Sequence, residues 1–154
     1  MNSFFRSKFS QFAGAGAMIA ASLLMTASPA TASVTGARIC AAALFNALSN
    51  DWYVRDAFHY GMLNRGQSKV IPTVLSAGRT YRIVAGGCED AFDVDIAVYD
   101  ENGGLVSSDR DRSPLAVAAV TPRWTGRFYI KVTMAQVRPR SGGAAHYVVQ
   151  YAYR

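Results

Sequence analysis

Residues 87–111 read GCEDAFDVDIAVYDENGGLVSSDRD, and the middle of this stretch decides the fold. Val94, Ile96 and Val98 alternate with Asp95, Ala97 and Tyr99. A two-residue period sends successive side chains to opposite faces of an extended chain, so this is a half-buried strand with Asp93 and Asp95 on its polar side. Asp100-Glu101-Asn102-Gly103-Gly104 then supplies a turn, because Gly takes positive φ without a Cβ clash and Asn tolerates it. Leu105-Val106 restarts an apolar run, which makes a hairpin with a loop longer than two residues. The stretch also gathers Glu89, Asp90, Asp93, Asp95, Asp100, Glu101, Asp109 and Asp111, out of 10 acidic residues in the chain.

The pattern continues on both sides. Leu115 to Val120 is an apolar run bounded by Pro114 and Pro122, and Trp124-Thr125-Gly126 forms a turn. Phe128, Ile130, Val132 and Met134 face one way, against Arg127, Tyr129, Lys131 and Thr133. After a Pro/Gly/Ser loop over Arg138 to Ala144, Tyr147, Val149, Tyr151 and Tyr153 alternate to the end. Upstream, Ala77-Gly78 is a turn before the alternating run Thr80 to Ala85. Val70-Ile71 and Val74-Leu75 flank Pro72, whose missing N–H confines it to an edge strand. Seven or eight short strands with regular turn signals over residues 68–154 predict an antiparallel β-sandwich.

Residues 33–67 read differently. Thr35 can cap a helix, Cys40 to Leu48 is Ala-rich, and positions 40, 44, 47, 51, 54 and 58 form a stripe broken only by Asp51. This predicts a helical segment from Thr35 to about Tyr60, packed on one sheet or end of the sandwich, with Asn50-Asp51 as a candidate break. Residues 1–32 have the form of an export signal: Arg6 and Lys8, an uncharged apolar run from Ala13 to Ala27, and the small-residue site Ala30-Thr31-Ala32 before Ser33. The run is short for a membrane span. Cleavage leaves 14 basic against 10 acidic residues, a net charge of +4, and no membrane span. The expected location is the periplasm or the outside of the cell. A single small domain of that charge, without a basic stripe, does not point to nucleic acid.

Two cysteines in an exported chain suggest a Cys40–Cys88 disulfide, worth roughly 4 kcal/mol on the loop-entropy account; two separately buried thiols are the alternative. There is no C-x-x-C for redox work.

Several pieces in order resemble a known family: Ala77-Gly78-x-x-Tyr81, then Asp93-Val94-Asp95-Ile96-x-Val98-Tyr99-Asp100-x-Asn102-Gly103, Ser113-Pro114, Thr125-Gly126-x-Phe128-Tyr129-Ile130-x-Val132 and His146-Tyr147-x-Val149. This set is similar to the bacterial pre-peptidase C-terminal domains, over about Val70 to Tyr153. The resemblance implies a jelly-roll-like sandwich and a non-catalytic accessory role in binding, solubility or assembly of exported proteins. The expected fold is therefore mainly β, a jelly-roll-like antiparallel β-sandwich preceded by an N-terminal helical segment. Calcium used by related collagen-binding modules does not transfer, because the linker carrying part of their ligands has no counterpart in residues 33–69.

Candidate sites rest on the residues themselves. Asp90, Asp93, Asp95, Asp109 and Asp111 could converge as oxygen ligands for calcium if the hairpin strands pair. The alternative is a solvated acidic edge paired with Arg110 and Arg112, each exposed pair contributing at most ~1 kcal/mol. No other cofactor is indicated. Tyr99, Trp124 and Tyr129 are candidates for a surface that binds a protein or a polysaccharide, against the alternative of core packing. A hydrolase ranks below both readings: His59, His146, Ser107 and Ser108 lie on separate elements, and Asp93–Asp95 imitates a glycosidase pair only by strand periodicity. Neither histidine has a second ligand at zinc spacing.

Overall fold

The strands close into two layers wound as a jelly roll. In the computed structural model, residues 36, 37, 39, 41, 42, 51–87 and 89–154 are described, apart from the side chain of Asp56. The export segment, residues 43–50 of the expected helix, and both Cys40 and Cys88 lie outside the described residues. Eight strands form among the described residues: β1 (Tyr53–Asn64), β2 (Ser68–Leu75), β3 (Tyr81–Gly86), β4 (Ala91–Tyr99), β5 (Leu105–Asp109), β6 (Leu115–Val120), β7 (Gly126–Val137) and β8 (Ala144–Tyr153). One sheet has the order β1-β8-β3-β6 and the other β2-β7-β4-β5, with every pair antiparallel. Consecutive strands alternate between the layers except for β4 and β5, which pair as a hairpin within one sheet, the winding of a jelly roll.

The core is the set of inward positions that the alternation predicted. Ile83, Val94, Ile96, Val98, Phe128, Ile130, Val132, Met134 and Val149 are fully buried in one cluster. Each such aliphatic or aromatic side chain stabilises by roughly 1.5–3 kcal/mol relative to an exposed one. Pro72 sits on β2, an edge strand, opposite Tyr129. The β4–β5 turn is held by Asp100, whose Oδ1 accepts from the N–H groups of Asn102 (2.9 Å) and Gly104 (2.8 Å), with Gly103 at φ +80°. An Asx-type contact of this kind needs the short carboxylate at the first turn position.

The second half of the expected helix is a strand. Tyr53–Asn64 pairs with β8, placing His59, Gly61 and Leu63 opposite Val149, Tyr147 and Ala145. The apolar stripe counted at helical spacing merged two strand faces, because the register shifts between Val54 and Phe58 and resets the alternation. Aromatic and β-branched residues on both faces (Tyr53, Val54, Phe58, Tyr60) suit a pleated strand better than a helix. Gly61 lets β1 approach the neighbouring strand: a Cβ there lies 3.0 Å from Tyr147 Cε1.

Upstream, Gly36, Ala37, Ile39, Ala41 and Ala42 are helical. Ala37 and Ala41, four residues apart and therefore on one helix face, are buried. Ala41 packs with Val84 and Ala152, with Trp52 and Val117 at the margin, which lays this piece on the outer face of the β1-β8-β3-β6 sheet.

Candidate functional site

The outer face of the other sheet is uncovered among the described residues. Because Ile96, Val98, Ile130 and Phe128 point into the core, Asp95, Ala97 and Tyr99 on β4 and Tyr129, Lys131 and Thr133 on β7 point away from it. Strand register then builds a row: Pro72 of β2 opposes Tyr129 of β7, which opposes Tyr99 of β4, which opposes Leu105 of β5. All four strands of the sheet contribute one residue each to this row. Val70 and Val74 extend it along the β2 edge, opposite Lys131 and Arg127. Val74 and Leu105 are 62% and 56% exposed, an unusual state for large aliphatic side chains on a sheet face.

Next to the tyrosines lies a polar hollow of about 220 Å³, lined by Asp95, Ala97, Tyr99, Arg110, Lys131 and Thr133. Its floor is firm, since Ser68 and Thr133 share a 2.8 Å hydrogen bond across β2 and β7. Burial pushes the Asp95 carboxyl above the usual carboxylate range, the charges of Asp93 and Asp109 push the same way, and Arg110 opposes them. An acid, two cations and a tyrosine thus converge beside an apolar row.

The structure brings together Tyr99 and Tyr129 from the predicted surface residues, but not Trp124. Trp124 sits in the β6–β7 loop, with one side of its ring stacked on buried Phe128 at 5.8 Å and the residue 38% exposed.

The five predicted calcium ligands are dispersed into other tasks. Asp109 accepts from the Asp111 N–H through Oδ1 (3.1 Å) and from the Val117 N–H through Oδ2 (2.8 Å). Asp93 occupies an irregular stretch of β4 where the register with β7 shifts twice, and is buried with Oδ1 unpartnered. Asp95 faces the hollow, Asp111 is exposed, and the carbonyl of Asp90 accepts from the Arg138 N–H at 2.7 Å. Among the described residues no group of three or more His, Cys, Asp or Glu is placed to hold a metal ion.

The candidate hydrolytic residues are likewise apart. His59 is on edge strand β1, its ring edge-on to Tyr151, and His146 is on β8, whereas Ser107 and Ser108 are on β5, the edge of the other sheet. No helix among the described residues is long and apolar enough to cross a membrane.

Sequence reasoning passed over Arg110 and Lys131 as site residues. Lys131 was legible as an outward β7 position two residues from Tyr129. Arg110 reaches the hollow only through the β4–β5 pairing.

No protein-family model and no curated protein matches the chain. Among solved structures it is similar to a periplasmic lysozyme inhibitor of g-type lysozyme from Aeromonas hydrophila, at 12% identity over 70% of this chain and 91% of that one, with a TM-score of 0.44. A likeness of that size carries no argument about what this chain does.

Proposed function

We propose that the chain is an exported, non-catalytic sandwich module that binds the surface of another protein in the periplasm or outside the cell. The observation that carries this reading is the row Pro72–Tyr129–Tyr99–Leu105, exposed at its ends and half-buried at the two tyrosines, which spans a whole sheet face and is flanked by Arg127 and Lys131. Tyrosine and arginine side by side, with aliphatic neighbours, are the composition of interface centres, since they bring large contact area and directional donors at low entropic cost. The similarity to pre-peptidase C-terminal domains supports the same role: an accessory sandwich that carries no chemistry of its own. Ser107 and Ser108 lie in the other sheet from His59 and His146, which favours the binding reading over a hydrolytic one built on these four residues.

The test is photo-crosslinking from a probe residue placed at Val70, which is exposed beside the row, in the native envelope and in the culture medium. A discrete adduct is expected from the unsubstituted chain, and its loss from a Tyr99→Ala/Tyr129→Ala variant that keeps its far-ultraviolet spectrum. An adduct that persists in the double variant, or none in either compartment, removes the reading.

A further inference from the structure

A second cleft opens where the edge strands of the two sheets, β1 and β2, run side by side. It has a volume of about 160 Å³ and is lined by Arg55 of β1, Val74 at the end of β2, Ser76 and Arg79 of the β2–β3 loop, Tyr81 of β3 and Tyr153 of β8. No acidic residue is among these.

Its aromatic parts fix its cationic parts. Register places Tyr53 and Tyr81 on either side of Tyr153, with ring centroids 5.8 and 6.0 Å away. The Arg79 guanidinium lies over the Tyr153 ring at 4.6 Å, and that of Arg55 stands 5.9 Å from the Tyr151 ring. A guanidinium held by its flat face on an aromatic ring keeps its N–H edge free, and that edge matches the oxygens of an anion. Among the described residues no carboxylate pairs with Arg55 or Arg79, and neither guanidinium makes a hydrogen bond.

Tyr81 adds a third donor. It is only 5% exposed, and its hydroxyl accepts from the Ser76 N–H at 2.9 Å. That contact uses an oxygen lone pair and leaves the hydroxyl proton to donate. Two like charges across one small cleft repel each other, and an anion between them reverses the sign of that interaction.

We propose that this cleft binds one phosphate- or sulfate-sized oxyanion, gripped by Arg55 and Arg79 and capped by the Tyr81 hydroxyl. Donors arriving from β1, β3 and the loop between β2 and β3 suit a tetrahedral group with three or more acceptor oxygens better than a two-oxygen carboxylate. Exposed Val74 on the wall gives a carbon chain attached to the anion a surface to rest on. The site shares Val74 with the edge of the tyrosine row, but its anion donors all lie outside that row.

The test is calorimetric titration of the mature chain with sodium phosphate, sodium sulfate and glycerol phosphate, at constant ionic strength set with chloride. Saturable binding is expected, weakened about tenfold or more in Arg55→Gln/Arg79→Gln and several-fold in Tyr81→Phe, as charge-assisted donors are removed. Glycerol phosphate binding tighter than inorganic phosphate identifies an ester as the ligand, and equal binding identifies the free oxyanion; both support the site. Absence of saturable binding by all three, or unchanged binding in the double arginine variant, overturns it. Should that variant fail to fold, the Nε–H resonances of Arg55 and Arg79 in the unsubstituted chain decide. Their movement with phosphate supports the site, and their stillness overturns it.

Discussion

The carboxylate of Asp109, on the last residue of β5, accepts a 2.8 Å hydrogen bond from the backbone N–H of Val117 on β6. These strands are the outer edges of different sheets, so one side chain joins the two layers along this side. The second oxygen holds the Asp111 N–H and shapes the loop that leaves β5. Edge strands expose unpaired donors, and covering them is a recurrent need in sandwiches.

Replacing Asp109 by Ala leaves the partly buried Val117 N–H without its acceptor, and the expected cost is about 1–3 kcal/mol. Asp109→Asn, which keeps an acceptor oxygen, is expected to lose less. Urea unfolding of the two variants checks the ranking. Equal stability of Asp109→Ala and the unsubstituted chain contradicts the edge-joining role.

Gly87 and Gly61 grade the tightness of the packing. A Cβ at Gly87 meets Ala91 Cβ at 2.8 Å, Val94 Cγ2 at 3.0 Å and the His146 carbonyl at 3.1 Å, none of which is the end of a flexible side chain. At Gly61 the obstacle is the ring of Tyr147, at 3.0 Å. Gly87→Ala is expected to cost ~2–3 kcal/mol and Gly61→Ala ~1 kcal/mol or somewhat more, by overpacking. The order of the two melting temperatures is the measurement, and Gly61→Ala falling below Gly87→Ala refutes this account of the packing.

Asp95 gives a pH signature. Its carboxyl is raised in the folded chain, first by burial and then by Asp93 and Asp109. The folded state therefore binds this proton more tightly than the unfolded chain does. Its contribution to stability is fully present below the ordinary aspartate value and is lost as pH rises through the elevated one. Asp95→Asn is expected to melt higher than the unsubstituted chain at pH 7, with the difference closing toward pH 3. A gap independent of pH points instead to a packing effect of the amide.

Calcium is expected to leave stability unchanged, because Asp109 is committed to backbone donors and the remaining acids do not gather into a ligand set among the described residues. Melting in excess calcium and in chelator checks this. A rise of several degrees with calcium restores the metal reading of Asp93 and Asp95.

The sandwich was legible wherever alternation ran uninterrupted. Phe128 to Met134 and Tyr147 to Tyr153 announced their inward faces, and Ile96, Ile130 and Val149 are all fully buried. β1 was hidden because its register shift between Val54 and Phe58 scrambles the two-residue period, and because Tyr60 and Met62 are exposed although apolar. Asp93 was read with Asp95 as a polar pair on one face, but the irregular stretch between Ala91 and Val94 buries one and leaves the other at the hollow. Tyr99 and Tyr129 were readable as outward positions, whereas their pairing needed the strand order. The arginine cleft was not readable at all, since residues 55, 79, 81 and 153 meet only through tertiary pairing.

Among the described residues β1 pairs with β8 alone, which constrains the order in which this molecule comes into being. A chain made from its amino end carries Tyr53–Asn64 without its sheet partner until Ala144–Tyr153 has emerged. Contacts of such long sequence separation form late and slowly. Closure of the β1-β8-β3-β6 sheet is therefore a late event, and the aromatic first strand waits without its ladder until it happens.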